Sequence, residues 1–205
     1  MEVMYVRKLN NSYFACRNFC GLIGSLSDLK CLVNEVEYFS PNNNTKVKAI
    51  VGETPDFIES LGMVPSMLNL KLSELSSTHY KILSLVQTVM LKPEMLILNN
   101  FELGVNDKIL NWVSRFLKTV NNDFNIKVVI ISQDMMFLSK LAKDVVVMKK
   151  GIIKYQGKLL TAVNQRVLAK PEIIKLIDCA NKKGAGLDYV LDERELLKSI
   201  YRSVN

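Results

Sequence analysis

Leu75 to Asp107 reads LSSTHYKILSLVQTVMLKPEMLILNNFELGVND, and in order it holds a helix start, a helix, a stop, a short strand and a turn. Ser76 is the residue type of an N-cap. Behind it Ile82, Leu83, Leu85, Val86, Val89 and Met90 recur at helical spacing, which predicts a helix to about Leu91. Lys92-Pro93 stops it, because the residue before a proline avoids the helical region. Met95 to Leu98 is then a short apolar run between a proline and two asparagines, the pattern of a strand buried on both faces of a parallel sheet.

The same alternation continues downstream. Asp107 to Val120 carries Ile109, Leu110, Val113, Phe116 and Leu117 on one helical stripe, and Val128 to Ile131 is the next buried strand. A helix over Met135–Ala142 and a strand over Val145–Met148 follow, and Lys150-Gly151 turns the chain into a hairpin partner at Ile152–Tyr155. Upstream, Met1 to Tyr5 reads as an opening strand and Lys46 to Val51 as a second, with a turn at Ser40-Pro41-Asn42-Asn43-Asn44 between them. Beyond Gly157, Pro171–Ala180 and Asp192–Ser203 read as helices on either side of Lys182-Lys183-Gly184-Ala185-Gly186. Strands alternating with helices predict a mostly parallel α/β sheet.

Composition narrows the classes. With 205 residues, 49% of them apolar, the chain is long enough for one domain with a sizeable core, yet no run approaches the roughly eighteen apolar residues that cross a bilayer. The first residues lack the basic segment and apolar run of a secretory signal, so a cytoplasmic protein is expected. Cys16, Cys20, Cys31 and Cys179 form no C-x-x-C pair and have no histidine cluster beside them, which predicts reduced, mostly buried thiols. A net charge of +7 suits an acidic partner, but the lysines are scattered, without the arginine-rich or aromatic-interleaved run that grips nucleic acid.

From Leu75 to Gly157 the chain resembles the C-terminal half of an ATP-binding-cassette (ABC) ATPase. That family runs L-S-G-G-Q, a helix ending in x-P, an apolar strand closing in D-E-P, a G-L-D turn, and a second strand closing in T/S-H-D. Here the register gives Leu75-Ser76-Ser77-Thr78-His79, Lys92-Pro93, Leu96 to Phe101 with Asn99-Asn100, Gly104-Val105-Asn106, Ser132-Gln133-Asp134 and Val145 to Gly151. Seventeen positions separate Ser76 from Pro93, as in the family. The resemblance implies a P-loop NTPase-like α/β fold, a mostly parallel sheet with flanking helices. The ABC ATPase-like domain would span 1–157, with a shortened helical subdomain at about 54–91. Residues 158–205 would form a helical extension packed on the same domain.

The resemblance also says which chemistry ought to be present. A P-loop points backbone N–H groups and a lysine at phosphates in the pattern G-x-x-x-x-G-K-[ST], with the hydroxyl on Mg²⁺. Its best counterpart is Gly24-Ser25-Leu26-Ser27-Asp28-Leu29-Lys30-Cys31, where Leu29 replaces the second glycine, Cys31 the hydroxyl, and Asp28 brings a negative charge to the phosphate position. Asn99 stands where the family has its magnesium-shell aspartate, and Asn100 where it has the glutamate that polarises water. Neither amide accepts a proton at neutral pH or suits a hard cation. Gln133 replaces the histidine that senses the γ-phosphate. Ser77, Thr78 and His79 add side chains where the signature needs bare backbone. Ser76 is retained, and His79 is expected as an exposed helix-start residue. Only forty-six positions separate Lys30 from Ser76, so the helical subdomain shrinks to a few turns within Pro55–Leu72, with Glu53 a rough stand-in for the glutamine-loop residue.

The expectation is therefore a degenerate ABC transporter ATP-binding-protein homologue without ATPase activity, with no catalytic or metal-ligating residue. It would bind ATP and Mg²⁺ weakly or not at all. Gly24, Lys30, Cys31, Asn99, Asn100 and Gln133 would mark a vestigial nucleotide site. Ser76, Ser77, Thr78, His79, Gly104 and Asn106 would form an interface with another ABC ATPase subunit, and a membrane permease is a further expected partner, at the inner face of the cell membrane. Two alternatives stay open. One is an active ATPase with non-standard motifs, using the Lys30 loop and another acid such as Glu102 or Asp134. The other is a soluble regulatory or nucleic-acid-binding protein on the same fold.

Overall fold

Short apolar runs bounded by Pro, Gly and Asn become the centre of a seven-stranded sheet among the described residues. The computed structural model describes residues 2–8, 19–33, 35–52 and 55–204. Its first half runs β1 (Glu2–Val6), β2 (Phe19–Ile23), α1 (Leu26–Lys30), β3 (Glu37–Tyr38), α2 (Lys48–Val51) and α3 (Pro55–Ser60). Two 3-10 turns, Pro65–Asn69 and Leu72–Glu74, lead into α4 (Ser77–Met90), β4 (Met95–Asn99) and α5 (Asp107–Phe124). Then come β5 (Lys127–Ile131), α6 (Met135–Leu141), β6 (Asp144–Lys149), β7 (Ile152–Lys158), α7 (Leu159–Asn164), α8 (Glu172–Lys182) and α9 (Glu193–Val204).

The strand order is β3-β1-β4-β5-β2-β6-β7. Strands β4, β5, β2 and β6 are mutually parallel. β1 and β3 add antiparallel on one side, and β7 closes the other side as a hairpin with β6. Because successive residues of a strand face opposite ways, these strands feed two cores. Leu96, Leu98, Val128, Ile130, Val145 and Val147 join the larger one, with buried residues of α4, α5, α6 and α8. Met95, Ile97, Val129, Ile131, Cys20, Leu22, Val146 and Met148 meet Leu29 and Val33 on the other face. The mostly parallel P-loop NTPase-like α/β fold expected from the sequence is the fold observed. Ile173, Ile174, Ile177, Leu187, Leu191 and Leu196 of the C-terminal segment belong to the larger core as well.

Two expectations are corrected. Lys46–Val51 is not a strand: Lys46 makes one isolated bridge to Lys71, and Lys48–Val51 is a single helical turn. Val47, Ile50 and Val51 are buried there at positions i, i+3 and i+4, so the short apolar run satisfies a helical period as well as a strand period. The cysteines are not uniformly reduced and buried. Cys20, on β2, is disulfide-bonded, whereas Cys31 and Cys179 are free and exposed because one ends α1 and the other lies on the outer side of α8. Cys16 and Glu53 lie outside the described residues.

Between α1 and α4 the chain packs in short pieces. Ile58, Leu61, Met63 and Leu72 are buried in the larger core. Trp112 of α5 donates its indole N–H to Ser60 Oγ at 3.1 Å and stacks on Phe116. No helix of the described residues is long and apolar enough to cross a membrane.

The central strand should be the least tolerant of truncation. Ile130 of β5 is fully buried between β4 and β2. Ile130→Ala is expected to lower unfolding free energy by about 2 to 5 kcal/mol, measured by urea denaturation.

Candidate functional site

Parallel strands end on the same side, so β2, β4, β5 and β6 deliver their C-terminal residues to one rim of the sheet, where open α/β sheets hold their ligands. Gly24 follows β2, Asn99 closes β4, Ser132-Gln133 follow β5, and Lys149 closes β6. Asn99 is the register partner of Ile131. Asn100 takes left-handed backbone (φ 49°), which asparagine tolerates better than most residues, and its N–H donates to the Ile131 carbonyl at 2.8 Å. Gln133 donates its side-chain amide to the Gly24 carbonyl at 3.0 Å. The rim thus brings Gly24, Asn99, Asn100 and Gln133 into one neighbourhood.

The segment after β2 is a short capped turn. Ser25 is the N-cap of the five-residue α1, and its Oγ accepts from the Asp28 N–H. The Asp28 carboxylate then takes three donors: the Ser25 N–H at 2.8 Å, the Ser25 hydroxyl at 2.7 Å and the Gly151 N–H at 2.6 Å. Gly151, the second residue of the reversal between β6 and β7, has φ +73°, a conformation glycine adopts without the clash a Cβ would bring, and a Cβ there would also press on Cys31 Sγ. The Gly151 N–H, followed by both Ser25 donors, holds the Asp28 carboxyl below the usual aspartate range. Lys30 is exposed on the last turn of α1, donating to the Tyr38 hydroxyl at 2.8 Å. Cys31 is exposed, with its thiol on the Ser27 carbonyl. Lys30 and Cys31 are therefore directed to other partners than the rim amides.

A second group of candidates lies at the start of α4. Ser76 caps it, its Oγ accepting from the His79 N–H and sitting 2.9 Å from His79 Nδ1. Thr78 donates its hydroxyl to the Gly104 carbonyl at 3.0 Å, which joins the α4 start to the turn after β4. Gly104 has φ +71° with open space where a Cβ would be, and Asn106 caps α5 through the Ile109 N–H. Ser76, Ser77, Gly104 and Asn106 are exposed, while Thr78 and His79 are half-buried.

Lys81, which sequence reasoning missed, and Glu102 and Asp134, which it offered only as alternative acids, lie between and beside the two groups. Glu102 accepts from the Ser132 hydroxyl at 2.6 Å, and its other carboxylate oxygen is buried without a partner in the structure. Lys81, buried on α4, donates to the Leu103 carbonyl. Burial pushes its ammonium below the usual lysine range, against the opposing pull of Glu102. Asp134 is the N-cap of α6, accepting from the Met136 and Phe137 N–H groups. The Glu102 and Lys81 contacts join residues thirty and twenty-two positions apart, and no local pattern signals them. Among the described residues no three His, Cys, Asp or Glu side chains converge as metal ligands would.

The strand order and the rim at the carboxyl ends of the parallel strands define a P-loop NTPase-like α/β protein. Comparison with known proteins supplies the finer class. No protein-family model matches the chain. It is 21% identical over 155 residues to the energy-coupling factor transporter ATP-binding protein EcfA2 of Staphylococcus epidermidis, covering 73% of this chain and 54% of that protein. Its identity to EcfA2 of Staphylococcus aureus is 25% over 149 residues, 69% of this chain and 52% of that protein. To EcfA2 of Bacillus cereus it is 25% over 120 residues, 58% and 41%. The chain spans about half the length of the curated relatives it matches. These similarities support an ABC ATPase-like family for the chain.

The Asp28 contacts generate a pH test. A carboxyl whose pKa is depressed by folding contributes stability above the pKa of an unfolded aspartate, about 3.9, and loses it as pH falls through the folded value. Asp28→Asn turns an acceptor-only group into one that also donates, opposite donors that need acceptors. The variant should unfold at lower urea than the parent near neutral pH, and the gap should narrow as pH falls below the unfolded aspartate value and through the lower folded one.

Proposed function

We propose that this chain is a catalytically impaired ABC-type subunit, a pseudo-ATPase that acts in the cytoplasm by docking on an intact ABC ATPase, a membrane permease, or both. The observation that carries this reading is the Asp28 carboxylate. A nucleotide-binding rim needs free N–H donors and a lysine, and here the Ser25 and Gly151 N–H groups already bond an internal anion while Lys30 bonds Tyr38. An incoming phosphate would meet a negative charge among filled donors, so the residues present do not fit Mg-nucleotide.

Asn99, Asn100 and Gln133 support the same reading, since no group among them can take a proton from water or offer a hard anionic ligand. Neither alternative acid fills the gap. Asp134 is committed to capping α6, and Glu102 is directed to Ser132, beneath the exposed turn. The relatives are named as ATP-binding proteins of a transporter, which supports a place in a transport assembly rather than a free-standing enzyme.

Purified protein with Mg²⁺ and ATP should release phosphate no faster than a buffer blank, because the metal aspartate, the water-polarising glutamate and the γ-phosphate histidine are all replaced. Phosphate release that vanished in Lys30→Ala would overturn the proposal. Nucleotide titration by calorimetry should likewise give no binding in the low micromolar range.

Docking would use the exposed face around Ser76, Gly104 and Asn106. A side chain at Gly104 meets no neighbour, so Gly104→Trp adds bulk outward and costs only the backbone strain of a left-handed residue, about 1 to 2 kcal/mol. Folding should survive, and co-purification with a co-expressed cassette or permease should fall at least about tenfold, equivalent to the loss of one good interface anchor. Unchanged association would remove this face from the interface.

A further inference from the structure

The β6–β7 hairpin has a composition that neither the fold nor the rim requires. Its turn and outer strand read Lys149-Lys150-Gly151-Ile152-Ile153-Lys154, and Lys143 and Lys158 lie at its other end. Lys149, Lys150 and Lys154 are exposed, and among the described residues none of them has a carboxylate at ion-pair distance. The two acidic groups that face the hairpin are already engaged. Asp144 pairs with Lys158 at 2.8 Å, and Asp28 sits behind the turn on the Gly151 N–H. The lysines therefore leave a net positive patch.

Just after the turn, β7 opens on two exposed large apolar side chains on its two faces, Ile152 at 58%, paired with Lys149, and Ile153 at 40%, paired with Met148. A strand that closes a sheet edge is ordinarily blunted by charge, a bulge or a covering element, and exposed isoleucines do none of these. Apolar side chains at a tip, ringed by lysines, match the chemistry of a bilayer surface: the isoleucines enter the acyl boundary while the ammonium groups meet anionic headgroups. Nucleic acid fits less well. The hairpin has no arginine, and its one aromatic residue, Tyr155, is half-buried against the larger core with its hydroxyl on the Lys158 carbonyl.

We propose that the β6–β7 hairpin is a membrane-surface contact that seats the protein on an anionic lipid bilayer through Lys149, Lys150 and Lys154 with Ile152 and Ile153 at its tip. The patch lies at the β6 end of the rim, where Met148 flanks Gly24, and it does not depend on whether nucleotide binds.

Co-sedimentation of the full chain with vesicles tests it. The protein should pellet with phosphatidylcholine vesicles containing about one third phosphatidylserine, but not with pure phosphatidylcholine, and should be released by high salt. Lys149→Glu/Lys150→Glu/Lys154→Glu should weaken binding by at least about thirty-fold, given the affinity each basic residue adds near an anionic surface. Ile152→Ser/Ile153→Ser should weaken it several-fold at unchanged charge, which a purely electrostatic attraction would not show. Both variants alter exposed side chains, and circular dichroism checks that each is folded. Equal binding to neutral vesicles, no binding at low salt, or full retention in the lysine variant would overturn the proposal. So would tighter, lysine-dependent binding to an oligonucleotide, or displacement from vesicles by ATP or inorganic phosphate.

Discussion

Four parallel strands whose two faces are both buried impose the constraint on which the rest of this molecule depends. A parallel neighbour cannot be reached by a tight turn, so each connection must cross a face of the sheet and return to the starting end. The crossovers cover both faces, and the strands' C-terminal residues all emerge together. Asn99, Gln133, Gly24 and Lys149 sit near one another for that reason, although 125 positions separate the first and last of the four along the chain. Once the rim exists, what it does depends on which donors it leaves free.

Here the rim is bonded to itself. Asp28 gathers donors from Ser25 and from the β6–β7 turn, Gln133 returns to the Gly24 carbonyl, and Glu102 holds Ser132. Around the buried Asp28 and Ser132 side chains, a donor left unpaired would carry a desolvation penalty. A site waiting for nucleotide has to tolerate some of that penalty until its ligand arrives. Internal partners remove it, and they also remove the driving force for the ligand.

Much of the fold was legible because it is written locally. Ser76 and the proline at Pro93 bound α4, Asn106 starts α5, and the short apolar runs at Met95–Leu98 and Val128–Ile131 could only be strands between such neighbours. Lys46–Val51 became a helical turn because its apolar residues fit either period over so short a stretch, and the choice fell to packing against α4. At the site, the charge of Asp28 could be read from the sequence but not its partners, since Gly151 lies 123 positions away. The Lys81 and Glu102 contacts were invisible for the same reason: a lysine inside an amphipathic helix looks solvated until a neighbouring turn covers it. The disulfide at Cys20 had no signal in the cysteine spacing.

The hydrogen bond from Thr78 to the Gly104 carbonyl has a thermodynamic meaning beyond its own strength. Together with Lys81 on the Leu103 carbonyl, it fixes the turn after β4 against the first turn of α4 within a single chain. Loops that are mobile before association surrender their conformational entropy when a partner arrives, and the affinity of the complex is lower by that amount. In this protein the loss is taken during folding. The turn is stiff before anything touches it, so a partner would meet a surface of settled shape, and the rate of its capture would depend on collision and orientation rather than on waiting for a loop to order.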